Sequence, residues 1–358
     1  MPRSVIVGTG RCIPERRVRN RDFLDRRFFA DYDQPVDPAG NAATIDKFRD
    51  ITGIEERRVA ADDQVASDLA TIAAQRAVEA SGIDPETLDC ILLTHNFGDV
   101  QRENPHSDLC PSLSARVKQS LGIANPACIA SDLPFGCAGW VQGVIHADAF
   151  IRADNVRRAL VIGAETLSRV SDPCDRDSMI YADGAGAAVL EARATDDAVG
   201  VLAHASRSDT LDHARLLWMG PTFDSAANDP NLYLKMHGRK LYNYALTNVP
   251  GVAQQAMERA GIGLGDVAKV FLHQANEKMD EAILSRLFRL FEVDEIPVGV
   301  MPMSISWLGN SSVATVPTLL DLVVRGDMVE HQLSSGDTII LAGVGAGMNI
   351  SVVVYRWP

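Results

Sequence analysis

Residues 73–83, AAQRAVEASGI, and residues 252–262, VAQQAMERAGI, are two versions of one segment. At an offset of 179 residues, six of the eleven positions are identical: Ala74/Ala253, Gln75/Gln254, Ala77/Ala256, Glu79/Glu258, Gly82/Gly261 and Ile83/Ile262. Both copies have helical spacing and end at a glycine placed to cap a helix C-terminus. Each leads through a short polar connector into an apolar strand, Cys90-Ile91-Leu92-Leu93 in one and Val270-Phe271-Leu272 in the other. The same offset aligns the run starting at Arg158 (RALVIG) with the run starting at Asp337 (DTIILA). Two Ala-rich helices can look alike by chance, but a shared register of helix, Gly-Ile stop and strand argues for duplication. The expected organisation is two related α/β halves, 1–195 and 196–358. They join near residues 193–200, where AVLEARATDDAVGV runs from a strand through a polar turn.

The other strands, SVIVGTG, LDCILLTHN, RALVIGAE, KVFLHQ, DTIILAGVG and NISVVVYRW, are nearly continuous apolar runs. Strands of that kind belong in sheets covered by helices on both faces. Each half alone makes an α/β layer pair, and two packed halves stack their sheets with helices between. No run approaches the roughly 20 apolar residues of a membrane span. The two arginines in the N-terminal stretch MPRSVIVGTGRC do not fit a signal-peptide core, so a cytoplasmic protein is expected. Lys plus Arg number 34 against 47 Asp plus Glu, a net charge of −13, which disfavours nucleic acid as a partner. The six cysteines, at 12, 90, 110, 128, 137 and 174, contain no CxxC, and the eight histidines show no metal-ligand spacing. Reduced thiols, with no metal or cofactor, are expected.

Three residues stand out for chemistry. Cys137, in SDLPFGCAGWVQG, follows a strand and a Pro-Phe-Gly turn and falls near a helix start. Unpaired N–H groups there favour a thiolate and predict a lowered thiol pKa. The alternative is an inert core thiol. His273 ends the strand VFLHQAN, where site residues of α/β folds collect and where a histidine can act as acid, base or hydrogen-bond donor. Asn310, in SWLGNSSVATVP, sits after a glycine at another helix start, as Cys137 does; taken alone it is an ordinary N-cap. The Gly-rich stretches 183–190 and 342–349 precede strands rather than opening helices, so they are read as tight turns and not phosphate cradles.

Together these pieces resemble the thiolase superfamily, in particular the β-ketoacyl-acyl-carrier-protein synthase III branch of the condensing enzymes. The segments are Gly8-Thr9-Gly10 with Pro14, TGIEERRV at 52–59, Gly136-Cys137-Ala138-Gly139, ADGAGAAVL at 182–190, HQAN at 273–276 and GNSSVATVP at 309–317. The resemblance implies a five-layer αβαβα fold built from duplicated halves. It implies Cys137 as nucleophile, with His273 and Asn310 as hydrogen-bond donors to the enolate left by decarboxylation. An oxyanion hole is expected from the backbone of Cys137 and Ala346. The implied substrates are an acyl-CoA and malonyl-acyl carrier protein, and the implied assembly is a homodimer. Biosynthetic thiolases carry a second catalytic cysteine in the C-terminal half; here there is none after Cys174.

Some positions depart from the family pattern. Its tryptophan before TGI falls on Lys47 and its neighbouring arginine on Ile51; Lys278 replaces an arginine after HQAN. These departures suggest a divergent member with another primer or carrier. A non-decarboxylating acyl transferase and a starter-unit condensing enzyme of specialised metabolism are the alternatives. An acidic carrier protein needs a local basic patch on this acidic chain. Lys235, Arg239, Lys240 and Lys278 are the candidates, with Asn276 beside the CoA or carrier path.

Overall fold

The structure, a computed structural model, describes residues 2–104, 106–195 and 197–358. Its first sheet has the order Arg3–Cys12, Asp183–Arg193, Arg158–Thr166, Cys90–His95 and Ile129–Pro134. The first two pairings are antiparallel and the last two parallel. The second sheet has the order Gly200–Ser208, Asn349–Arg356, Thr338–Gly345 and Val267–Leu272. Its pairings run antiparallel, antiparallel, parallel, so four strands repeat in the same order and the same directions. The strand pairs matched at the offset of 179 occupy equivalent places in the two sheets. Among the described residues, Ile129–Pro134 has no counterpart in the second sheet and forms the open edge of the first. Asp196, where the expected boundary between the halves falls, lies outside the described residues.

Burial decides the layers. In helix Gly139–Arg152 nine of fourteen residues are buried, and in Thr315–Val324 nine of ten are. Helices with so much of their surface buried belong to the interior. Both lie between the sheets, in a core that joins Val161 and Leu190 of the first sheet to Trp140, Val144, Leu319 and Leu320 of the helices and to Leu341 and Val353 of the second sheet. Asp321, the one carboxylate of the second helix, is fully enclosed. It is held by Thr9 Oγ1 at 2.7 Å and by Arg11 at 2.6 Å. Helices Ala66–Ser81 and Leu113–Ser120 cover the outer face of the first sheet, and Gly238–Ala260 and Glu277–Leu290 that of the second. The result is the thiolase-like αβαβα stack. The glycines of 183–190 lie inside strand Asp183–Arg193, a correction to their reading as turns before a strand. Small residues there let helix Thr315–Val324 come close: a Cβ on Gly186 would lie 2.6 Å from the amide nitrogen of Thr318.

One hydrogen bond ties sheet to sheet near their antiparallel edges. The Ile6 N–H, beside a bulge in the first strand, donates to the Tyr355 hydroxyl at 2.8 Å, and Tyr355 is fully buried. Tyr355→Phe keeps the ring but strands that N–H, which costs about 1–3 kcal/mol. Urea unfolding is expected to show a lower midpoint with an unchanged slope.

Candidate active site

Strand Ile129–Pro134 runs out into a turn, and helix Gly139–Arg152 begins after Ala138, its N-cap residue. Cys137 sits in that turn, one residue ahead of the cap. Against it lies the turn that ends strand Thr338–Gly345. The two backbones touch. A Cβ on Gly345 would come within 2.3 Å of the Cys137 amide nitrogen, and one on Gly136 within 2.4 Å of the Ala346 amide nitrogen. Only glycine allows this approach, which brings the N–H groups of Cys137 and Ala346 to one place.

His273 follows the last residue of strand Val267–Leu272, with its N–H donated to the Ala342 carbonyl at 2.8 Å. Asn310 is pinned by its backbone to Ile180 and Ala182 of the first half. Its side-chain oxygen accepts the Ser312 N–H at 2.8 Å, which leaves the NH2 as the edge offered to the cavity it lines. Cys137, His273, Asn310 and Ala346 all line one cavity of about 940 Å³. Its walls are mostly apolar, with Phe97, Leu167, Ile180 and Met236 among them, and Lys47, Ile51, Arg176 and Arg239 also border it.

The electrostatics differ from the expectation of a lowered thiol. Burial pushes Cys137 up to about 11, opposed by a hydrogen bond from Ser312, while the Glu165 carboxylate adds to the rise. The thiol stands ahead of the helix cap, half-buried at the cavity wall, and lost solvation outweighs whatever the helix start contributes. Burial also pushes His273 down to about 4, so its imidazole is neutral at physiological pH. The site therefore holds an uncharged thiol and an uncharged imidazole, and His273 can donate a hydrogen bond without carrying charge.

The basic residues separate. Arg239 is exposed and borders the cavity; Lys240 and Lys278 are exposed but are not part of its lining. Asn276 borders the cavity, and its side-chain oxygen caps helix Glu277–Leu290 by accepting the Met279 N–H at 3.0 Å. Lys235 is no surface residue. It is fully buried, 2.5 Å from Asp172 and 3.5 Å from Asp175, with its ammonium over the Phe223 ring. Strand Tyr233–Met236 alternates buried and half-buried positions, and Lys235 falls on the buried side. Three residues escaped the sequence reading: Ser312, which touches the sulfur, and behind it Asn96 and Glu165. The available signals were a carboxylate inside the apolar run RALVIGAE and a serine two places after Asn310.

Two sheets packed on a shared buried helical layer are the thiolase fold, and comparison with known proteins narrows it. The family description "3-Oxoacyl-[acyl-carrier-protein (ACP)] synthase III" matches residues 131–210, and its C-terminal counterpart matches 257–357. The β-ketoacyl-[acyl-carrier-protein] synthase III of a Synechococcus strain is 34% identical over 86% of each chain. That of Erythrobacter litoralis is 30% identical over the full length of both. The crystal structure of the Thermus thermophilus β-ketoacyl-[acyl-carrier-protein] synthase III superposes with a TM-score of 0.80 at 26% identity, covering 99% of each chain. The chain belongs to the 3-oxoacyl-[acyl-carrier-protein] synthase III family, and it is an acyltransferase.

The neutral His273 has a consequence for stability. Its folded pKa lies below its unfolded value of 6.5, so the unfolded chain binds the extra proton and stability falls as pH drops from about 6.5 to 4. Each pH unit inside that window contributes up to about 1.4 kcal/mol. His273→Gln is expected to lose stability less steeply than the parent over this range, as read by urea unfolding at a series of pH values.

Proposed function

We propose that Cys137, His273 and Asn310 carry out decarboxylative Claisen condensation, the reaction of the family. An acyl group passes from CoA to Cys137; the thioester bond to CoA breaks, and the thiol proton of Cys137 goes to the departing CoA sulfur. Malonyl-acyl carrier protein then enters, and its carboxylate leaves as CO2. The resulting enolate oxygen takes hydrogen bonds from neutral His273 and from the Asn310 NH2. The carbanion attacks the acyl-enzyme carbonyl, whose oxygen is held by the N–H groups of Cys137 and Ala346. Collapse releases a 3-oxoacyl thioester and returns the electron pair to sulfur, which takes a proton from water to restore the thiol. No charged general base is needed, because losing CO2 supplies the carbanion.

The observation that carries this reading is the convergence of the three side chains on one cavity from three separate stretches of chain. The amide contact Gly136–Cys137 against Gly345–Ala346 supports the oxyanion hole. Arg239 at the cavity border, with Lys240 and Lys278 outside it, supports a basic approach for the phosphates of CoA and for an acidic carrier. The open edge at Ile129–Pro134, with Ile129 60% exposed, supports pairing with a second copy as a homodimer. The reading also takes 1–195 and 196–358 as the two halves and the cytoplasm as the location. No helix among the described residues is long and apolar enough to cross a membrane.

Incubation with a panel of acyl-CoAs and intact-mass measurement is expected to show a single acyl adduct, absent in Cys137→Ala. A persistent adduct in that variant would remove Cys137 from its role. Asn310→Ala is expected to slow malonyl decarboxylation by about 10²–10³-fold while leaving acyl loading nearly intact. Release of CO2 and adduct mass separate the two steps.

A further inference from the structure

Glu165 and Asn96 stand at the ends of neighbouring parallel strands, Arg158–Thr166 and Cys90–His95, both of which point at the cavity. Glu165 is enclosed, and one of its oxygens accepts two hydrogen bonds from Asn96, from the backbone N–H at 2.9 Å and from Nδ2 at 2.7 Å. The same Nδ2 donates to Ser312 Oγ at 3.0 Å. Ser312 Oγ in turn lies 3.3 Å from Cys137 Sγ and donates to it. Burial pushes Glu165 up to about 7, so above that pH its carboxylate is ionised and each link has one direction: the carboxylate only accepts, and the Asn96 NH2 must face it. That NH2 has a second hydrogen, which goes to the serine oxygen. A hydroxyl has a single hydrogen, and with its oxygen already accepting, the hydrogen is left for sulfur.

The backbone of Ser312 points the same way. It sits at φ +54° and is 1% exposed, a left-handed conformation that glycine adopts without strain. Strain of this kind persists where surrounding structure enforces it, commonly at functional sites. A serine there gains nothing in backbone energy; what it adds is the hydroxyl aimed at the cavity.

We propose that Ser312 is the hydrogen-bond donor that stabilises the Cys137 thiolate, and that Asn96 and Glu165 are positioning residues that keep its hydroxyl turned to the sulfur. The inference rests on Cys137 being the nucleophile. The sulfur carries excess charge twice in the cycle, when it attacks the acyl-CoA and when the condensation product leaves it. At both moments the Ser312 hydrogen strengthens its bond to sulfur and no proton is transferred along the chain. Between them, with the sulfur acylated, the bond weakens. In a buried site that otherwise resists charge on sulfur, and with a neutral imidazole nearby, this donor chain offsets part of the lost solvation.

The test is the rate at which iodoacetamide alkylates Cys137 in the full chain, followed by peptide-resolved mass spectrometry across a pH series. This readout needs no substrate and separates Cys137 from the five other cysteines. Ser312→Gly removes the hydroxyl and the backbone strain together. It is expected to unfold at no lower a temperature than the parent, yet to alkylate about tenfold more slowly near pH 8, with the thiol titration moved up by about one unit. Asn96→Asp puts an acceptor where a donor was, draws the Ser312 hydrogen away from sulfur, and is expected to slow alkylation in the same direction. A folded Ser312→Gly with the parental pH–rate profile overturns the proposal. If Ser312→Gly does not fold, an unchanged profile in Asn96→Asp overturns it instead. A parent protein that alkylates as expected but takes no acyl group from any acyl-CoA would defeat the nucleophile reading and leave the hydrogen-bond chain standing.

Discussion

The site exists because two helices bury most of their surface between the sheets. Thr315–Val324 is apolar almost all round, and Gly139–Arg152 buries nine of its fourteen residues while Gln142, His146, Ala149 and Phe150 form a more open face, so both need the cover that the gap between two sheets provides. Both helices begin at the same end of the layer. Cys137 precedes one start and Asn310 the other, while His273 and Ala346 come from the ends of adjacent parallel strands in the second sheet. Strand ends and helix starts meet at that end in any parallel α/β layer. Duplication of the layer pair makes two such ends face each other, and the cavity lies where they meet.

Seating the reacting groups at the inner wall of the cavity also sets their charge state. A thiol and an imidazole removed from water both move toward their neutral forms, Cys137 upward and His273 downward, for the same reason of lost solvation. Neutral donors suit a reaction in which negative charge appears on oxygen or sulfur only in passing. The family to which the chain belongs forms a carbon–carbon bond by losing CO2, so the driving group leaves with the substrate and the protein needs only well-placed hydrogens.

How much could be read from the chain depends on whether a feature is local. The offset of 179, the apolar strands and the glycine flanking Cys137 are local patterns; they carried the two α/β halves, and short motifs shared with the family carried the five-layer fold and the candidate trio. The Cys137 pKa went the other way from its sequence context because a helix start is local but enclosure is not. Lys235 looked like part of a basic surface in KMHGRK. Its strand alternates faces, and pairing with Leu217–Gly220 turned that side chain onto Asp172 and Asp175. Glu165, Asn96 and Ser312 are unremarkable in sequence, being separated by 69 and 216 positions, and became a single chain only when neighbouring strands and a loop of the other half came together.

By itself, then, the amino-acid order determined the repeated α/β unit, the residues that precede its central helices and the family pattern they match, because periodicity and short motifs are written in neighbouring positions. Tertiary structure alone decided which backbones touch, how far the sulfur and the imidazole are removed from water, and in which direction the hydrogens around them point. Those properties depend on distances between groups far apart in the chain, and desolvation and hydrogen-bond direction change steeply over a single ångström of such distance.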